Sequence, residues 1–193
     1  TVSNSRVTDN SAELTASLPS SVEQLAVGGG FQITGDVSAA TISNTTVSGN
    51  SIAMTNTAGD AVAFSGGLHV DFQVDFKLSN SVVADNSVRS ATLASSSGNA
   101  EGDSGAGELL GTISNTRFTG NTVTVNSAAG EATAFAGAMI DFGSLTNSVI
   151  SDNHVHASSP TGAIFAGGGA IQKCFSSRGE PQASARRRNE TSW

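Results

Sequence analysis

The sequence predicts an all-β fold, a parallel β-helix (a solenoid) of about five coils, and three observations carry that expectation. A nine-residue phrase recurs five times: VSNSRVTDN (2–10), ISNTTVSGN (42–50), LSNSVVADN (78–86), ISNTRFTGN (113–121) and LTNSVISDN (145–153). A second mark, a glycine-rich strand start, follows each copy in step: Gly28-Gly29-Gly30, Gly66-Gly67, Gly105-Ala106-Gly107, Gly137-Ala138 and Gly168-Gly169-Ala170-Ile171. Between the marks apolar residues alternate with polar or small ones, the two-residue period of a strand buried on one face.

The phrase comes first in each unit. Its closing asparagines fall at 10, 50, 86, 121 and 153, steps of 40, 36, 35 and 32 residues. A period of that length marks a solenoid, a propeller or an array. The Gly-His and Trp-Asp marks of propeller blades are missing, which leaves the solenoid. Ile42 and Val47 lie five apart, so both face inward only if the chain bends between them. Asn44 sits at that bend, because asparagine tolerates the left-handed backbone of a tight corner. Its equivalents are Asn4, Asn80, Asn115 and Asn147. Stacked coils bring such amides within about 4.8 Å of one another, and each has both a donor and an acceptor, so a column forms an asparagine ladder. Asn10, Asn50, Asn86, Asn121 and Asn153 make a second candidate column.

The strands follow. Val62, Phe64, Gly66, Leu68, Val70 and Phe72 alternate with Ala63, Ser65, Gly67, His69 and Asp71, one strand over 61–72. A turn at 73–75 and a short strand at 76–79 lead to the Asn80 corner, after which a third strand runs from Val82 to about Leu93. A variable loop at 94–104 closes the coil. In the third unit Gly105, Gly107, Leu109, Gly111 and Ile113 share a parity that leaves Glu108 outside. In the fourth, Phe135 and Ile140 have opposite parity, which predicts a bulge. Pro19 and Pro160 fall in loops, where proline removes no ladder bond. Helix start and stop signals are missing, and Ser, Thr, Asn and Gly are poor helix-interior residues.

From Lys173 the pattern stops. Residues 173–193 contain no phrase, no alternation and the run Arg186-Arg187-Arg188, and they read as a disordered basic tail; a docking tail and a helical cap are the alternatives. The domain organisation is therefore 1–172 for the solenoid and 173–193 for the tail. Because the chain opens inside a repeat without Met, it is expected to be a piece of something longer.

Composition excludes several classes. Only 13% of the 193 residues are charged and 5% aromatic, with no Tyr and 22 Gly, which suits a narrow core of small and β-branched side chains. Up to Gln172 there are 14 acidic against 4 basic residues, and beyond it 2 against 5. An acidic body disfavours nucleic acid, whose binding rests on Lys and Arg contacts to phosphate. Cys174 is the single cysteine, so no intramolecular disulfide framework exists. No apolar run approaches the roughly 18 residues of a membrane-spanning helix.

The paired marks resemble right-handed β-helix proteins of the pectate-lyase-like superfamily. More narrowly, they are similar to the repeats of polymorphic outer-membrane proteins and autotransporter passengers, whose hallmarks are GGAI and FxxN. Gly168-Gly169-Ala170-Ile171 matches the first, and Phe118-Thr119-Gly120-Asn121 the second. Val47, Val83 and Ile150 stand where Phe would be, and Leu68 follows Gly66-Gly67 where the family has Ala. The resemblance covers residues 1–172. It implies a right-handed, single-stranded helix, a surface or secreted location, and an adhesive or display role.

A search for chemistry assembles no catalytic, cofactor or metal site. The lyase marks W-x-D-H and R-x-P-x-x-R do not occur, nor do the galacturonase marks Gly-His-Gly and Asn-Thr-Asp. His69, Asp71 and Glu108 face outward on the first strand. Asp71 and a carboxylate one coil away would lie near the roughly 5 Å spacing of retaining glycosidases, but any stacked acids acquire that spacing, so they read as solvated surface. His154 and His156, beside Asp152, could offer zinc two ligands and read as exposed imidazoles. Arg6 and Arg117 share a phrase position with Thr46, Val82 and Val149, so no basic column forms. Thr122-Val123-Thr124-Val125 is one copy of a Thr array. Asn44-Thr45-Thr46 is a glycosylation sequon whose asparagine, at a corner, should be poorly accessible. The expectation is a non-enzymatic, adhesin-like scaffold at the cell surface or secreted. Its partners would be carbohydrate, a surface receptor, or further copies joined end to end. The alternative is a fragment of a polysaccharide lyase or glycoside hydrolase.

Overall fold

A computed structural model of the chain describes residues 1–19, 24–35, 37–71, 74–93, 97–141 and 143–172. The segment 173–193, with its basic run, lies outside them, as do Phe72 and Gln73. The described chain is a parallel β-solenoid: it visits five sheets in turn and returns to the first, so that about four turns separate the first and last strands of each sheet. In the order of the chain, sheet A holds Val2–Ser3, Ala39–Ser43, Asp75–Ser79, Gly111–Ser114 and Ser144–Thr146. Sheet B holds Arg6–Thr8, Thr46–Ser48, Val82–Ala84, Arg117–Thr119 and Val149–Ser151. Sheet C holds Ser11–Ala16, Ser51–Asn56, Ser87–Thr92, Thr122–Asn126 and His154–Ser158. Sheet D holds Leu25–Val27, Ala61–Phe64, Ala100–Asp103, Ala132–Phe135 and Ile164–Gly167. Sheet E holds Phe31–Ile33, Leu68–Val70, Gly107–Leu109, Met139–Asp141 and Ile171–Gln172. All neighbours pair in parallel, and the phrase copies stack in register: Val2, Ile42, Leu78, Ile113 and Leu145 form one column.

Three of the junctions between sheets are sharp corners, and in each the turning residue has a positive φ. Between A and B it is the phrase asparagine, Asn4, Asn44, Asn80, Asn115 and Asn147, with φ of 48° to 50°. The residue after it is always Ser or Thr, and its hydroxyl donates to the carbonyl two residues back, as Thr45 Oγ1 does to Ser43 at 2.8 Å and Ser81 Oγ to Ser79 at 2.7 Å. That closure satisfies the corner locally and explains why a hydroxyl follows each asparagine. Ile42 and Val47 both point inward across the bend, as the five-residue spacing required. Asn44 itself is exposed, so the sequon is accessible, contrary to the expectation drawn from its corner position.

Between B and C the turning residues are Asp9, Gly49, Asp85, Gly120 and Asp152, φ 55° to 68°. The closing asparagine follows immediately and turns inward. Here lies the side-chain ladder: Asn10 Nδ2 donates to Asn50 Oδ1 at 2.8 Å, Asn50 to Asn86 at 2.9 Å, Asn86 to Asn121 at 3.0 Å and Asn121 to Asn153 at 2.9 Å. Each Oδ1 also accepts the backbone N–H of the preceding rung's asparagine, at 3.0–3.1 Å. The first column, Asn44 and its equivalents, stands in solvent, and among the described residues no hydrogen bond joins its side chains. Of the two candidate ladders, the second is the one that forms.

Between D and E the turning residues are Gly28, Ser65, Ser104, Ala136 and Gly168. This corner, and the one at Asp85, break what the alternation read as single strands over 61–72 and from 82 to 93. Leu68 and Val70 face inward as expected, but Val62 and Phe64 face outward while Ala61 and Ala63 are buried. The corner resets the parity. The same corner, at Ala136, explains the opposed Phe135 and Ile140, so no bulge is needed. The expected loop at 94–104 contains the sheet D strand Ala100–Asp103. The turns from C to D are themselves stacked, Asp60 accepting from the Asn99 N–H at 2.7 Å and Asn99 from that of Glu131 at 2.8 Å.

The glycine marks now acquire a reason. A methyl group on Gly67 would lie 2.6 Å from the Ala106 carbonyl oxygen and 3.0 Å from Cγ of Asn86. One on Gly66 would lie 2.7 Å from the Ser87 oxygen. Gly30 stands in the same way against Asn50, Gly105 against Thr122 and Gly137 against His154. The D–E corner therefore presses across the interior against the asparagine ladder. This contact pinches the cross-section into two cores, one of Ile42, Leu68, Phe76, Leu78, Leu109, Ile113 and Phe118 among sheets A, B and E. The other, of Ile52, Met54, Ala61, Ala63, Val88, Val123 and Val125, lies between C and D. The two sequence marks recur together because they are the two sides of one contact.

Candidate functional site

Pressing the D–E corner inward makes the outside of that corner re-entrant, so outward side chains of the two sheets face each other across it. On sheet E the outward column runs Gln32, His69, Glu108, Ile140. On sheet D the two outward columns run Leu25, Val62, Glu101, Thr133, Phe165 and Val27, Phe64, Asp103, Phe135, Gly167. Outward does not mean solvated here: Asp103 is 1% exposed, Glu108 8% and Ile140 1%.

His69 is the centre of the polar groups. Its Nδ1 lies 3.3 Å from Ser65 Oγ and 3.7 Å from Glu108 Oε2, and its Nε2 lies 3.4 Å from Asp71 Oδ1. The Glu108 backbone N–H donates to Ser65 Oγ at 3.3 Å, and Ser104 Oγ donates to Asp103 Oδ1 at 3.1 Å. Burial lowers the His69 pKa below its ordinary value and outweighs the opposing pull of Asp71. The imidazole is therefore neutral near pH 7, with one N–H. The bond set that uses every group has Nε2–H donating to Asp71 and Nδ1 accepting from the Ser65 hydroxyl.

A hydroxyl, an imidazole and a carboxylate in a row suggest nucleophilic catalysis, but Ser65 is completely buried at the corner and already accepts from Glu108. A nucleophile must reach its substrate. The arrangement ties the corner together and offers no attack geometry. Nor do Asp71 and Glu108 stack as a pair: Glu108 is in register with His69, so the imidazole stands between the carboxylates. Expected as solvated surface, the three residues divide. Asp71 and His69 are half-buried, and Glu108 is buried. Ser65, Ser104 and Asp103 belong to the cluster and were not singled out in the sequence, although their shared place just before the glycine mark was a signal.

Beside this cluster the outer face of sheet D carries apolar side chains on either side of Glu101 and Asp103, Val62 and Phe64 in the coil before them and Phe135 and Phe165 in the coils after. Phe135 and Phe165 meet with ring centroids 4.9 Å apart and planes at 55°, the tilted geometry aromatic pairs prefer. Phe165 is 52% exposed.

The other candidates stay apart. His154 and His156 are exposed on the outer face of sheet C, and Asp152 is exposed at the B–C corner. Among the described residues no three His, Cys, Asp or Glu side chains are placed to hold a metal ion. Arg6 and Arg117 share the outward column of sheet B with Thr46, Val82 and Val149, so no basic stripe forms. Thr122 and Thr124 have Ser87 and Arg89 on one side and His154 and His156 on the other, which is no Thr array. No described helix is long and apolar enough to cross a membrane.

The class that this architecture defines is the parallel β-solenoid with a buried asparagine ladder. Comparison with known proteins goes no further: no protein-family model, no curated protein and no solved structure matches the chain.

Proposed function

We propose that the chain is a non-enzymatic repeat scaffold, secreted or held at a cell surface, which binds a carbohydrate or a surface protein in an adhesin-like role. The observation that carries this reading is the state of the D–E corner cluster. Its hydroxyl is buried and its imidazole is engaged by its neighbours, so the polar groups best arranged for chemistry are consumed in holding the corner. The similarity of Gly168-Gly169-Ala170-Ile171 and Phe118-Thr119-Gly120-Asn121 to outer-membrane and autotransporter repeats supports a surface location. The outer face of sheet D, with Phe135 and Phe165, is the surface such a scaffold would present, since contiguous exposed apolar area marks interaction sites. A glycan and surface-receptor binding panel tests this. Saturable binding that Phe165→Ser weakens, without turnover, is the expected result. Silence across the panel together with cleavage of any polysaccharide would overturn it.

A second reading, a fragment of a polysaccharide lyase or glycoside hydrolase, is favoured by one observation: His69, Asp71 and Glu108 do gather on an outer sheet face. Incubation with acidic polysaccharides, with and without Ca²⁺, discriminates. Unsaturated sugars or new reducing ends that disappear in Asp71→Asn would support it.

A further inference from the structure

The A–B corner contains one hydroxyl that the fold does not use. After the turning asparagine and the Ser or Thr that closes the turn, the five copies of the phrase carry Arg6, Thr46, Val82, Arg117 and Val149. These side chains form one outward column on sheet B, so the position accepts a cation, an aliphatic group or a hydroxyl alike. Thr45 Oγ1 closes the turn onto the Ser43 carbonyl, but among the described residues no hydrogen bond engages the Thr46 hydroxyl. What Thr46 does is complete Asn44-Thr45-Thr46, an N-glycosylation acceptor sequence that none of the other four copies contains. Asn44 is placed to use it. It is exposed on the flank of the solenoid, in the second of the five stacked corners, with φ 49°. Its side-chain amide, too, makes no hydrogen bond among the described residues. The ladder asparagines are the opposite case: Asn50 is buried, and its Nδ2 donates to the Val7 carbonyl and to Asn86 Oδ1. A sugar on Asn50 would break the ladder, whereas one on Asn44 costs the fold no bond and stands in solvent, where such a bulky group belongs.

We propose that Asn44 is the attachment site of an N-linked oligosaccharide, an inference that rests on the export required by the scaffold reading. The transfer is a substitution at the sugar. Asn44 Nδ2 bonds to C1 of an oligosaccharide carried on a lipid diphosphate, and the C1–O bond to the diphosphate breaks. That electron pair leaves with the lipid diphosphate, and the amide proton passes to a base of the transferase; nothing is oxidised or reduced. The closed corner also sets the order of events. There the Asn44 N–H donates to the Ser79 carbonyl at 3.1 Å, the Thr45 N–H to Ser81 Oγ at 3.1 Å and the Thr46 N–H to the Ser5 carbonyl at 3.0 Å. All three backbone donors of the acceptor are held, two of them by the following coil. A transferase has to grip this backbone itself, so transfer precedes the docking of residues 79–81, and the sugar is carried into the finished fold.

The test exports the full chain through a eukaryotic secretory pathway behind a cleavable signal. Peptide mapping by mass spectrometry should find hexosamine and hexose on the peptide that contains Asn44, and release by a glycan-specific amidase should leave aspartate at position 44. Thr46→Val should abolish the modification at 44. That variant keeps the fold, because Val82 and Val149 already stand in its column, and it should melt with the unglycosylated natural chain. The chain has a second acceptor sequence, Asn189-Glu190-Thr191, which reports contact with the transferase. A sugar at 189 with Asn44 bare, a secreted chain bare at both, or a Thr46→Val chain still modified at 44 would each overturn the proposal. The binding panel separates this result from the scaffold reading. A glycan at Asn44 on a chain that binds nothing upholds the attachment site and counts against the scaffold alone, while a bare Asn44 on a chain that binds does the reverse.

Discussion

Replacing Asn86 with Ala probes the ladder at its middle. The Asn86 Oδ1 accepts the Asn50 backbone N–H at 3.1 Å and Asn50 Nδ2 at 2.9 Å. Its Nδ2 donates to Asn121 Oδ1 at 3.0 Å and to the Val47 carbonyl at 3.0 Å. Asn50 Nδ2 keeps the Val7 carbonyl and Asn121 Oδ1 keeps the residue 86 N–H, so those two losses are partial. The Asn50 N–H loses its acceptor inside the protein. A buried group left without a partner costs about 1–3 kcal/mol, and each ordinary hydrogen bond about 1 kcal/mol. Together these give roughly 3–4 kcal/mol. Asn10→Ala, at the exposed end of the same column, should cost under about 1 kcal/mol, because water replaces what is lost. For a chain of this size 1 kcal/mol moves Tm by about 2–4 °C, so Asn86→Ala should melt roughly 6–16 °C early. Urea titration followed by far-UV circular dichroism measures the difference, provided m is unchanged between variants. Equal costs at the two positions, or less than about 0.5 kcal/mol at Asn86, would refute the ladder as a source of stability.

Three further outcomes follow from the same geometry. Gly66→Ala should destabilise by about 1–3 kcal/mol, since its methyl group would meet the backbone oxygens of Gly105 and Ser87 within a packed interior, whereas Gly67 has Ala106 and Ala138 in its place in the following coils; thermal melting checks it. Asn115→Gly should be nearly neutral and Asn115→Val should cost about 1–2 kcal/mol, because φ is 49° there and a β-branched residue resists it; parallel urea titrations check the pair. His69 makes stability depend on pH. Its folded pKa is lowered from 6.5 by burial, so below that value the unfolded chain takes up a proton that the folded chain resists. Its contribution is complete above pH 6.5 and is lost as pH falls through the folded pKa, and His69→Asn should remove that part of the slope between melts at pH 7 and pH 5.

The phrase was legible because its positions answer to local needs. Asn44 must turn, Thr45 must close the turn, Ile42 and Val47 must face inward, and Asn50 must meet its copies. All of these recur at fixed spacing. The corners at Ser65 and Asp85 were not legible, because serine, aspartate and alanine adopt a positive φ there without advertising it. Missing a corner inverts every parity upstream of it, which is how Val62 and Phe64 were assigned inward. The glycine marks were visible as a repeat, but their partner was not, since nothing in a sequence says that Gly67 lies against Asn86. The burial of Glu108 and Asp103 follows from that same contact. An outward position beside a re-entrant corner is sheltered, and alternation alone assigns it to solvent.

The central claim is that asparagines some 35 residues apart stack amide on amide inside the protein, with the glycine pair pressed against them. Side-chain amide NMR tests it most directly. The account predicts NOEs linking the Nδ2 protons of Asn50 to Asn86 and of Asn86 to Asn121, with hydrogen exchange of those protons slowed to the rate of the surrounding strands. Freely exchanging side-chain amides without contacts between successive rungs would contradict it.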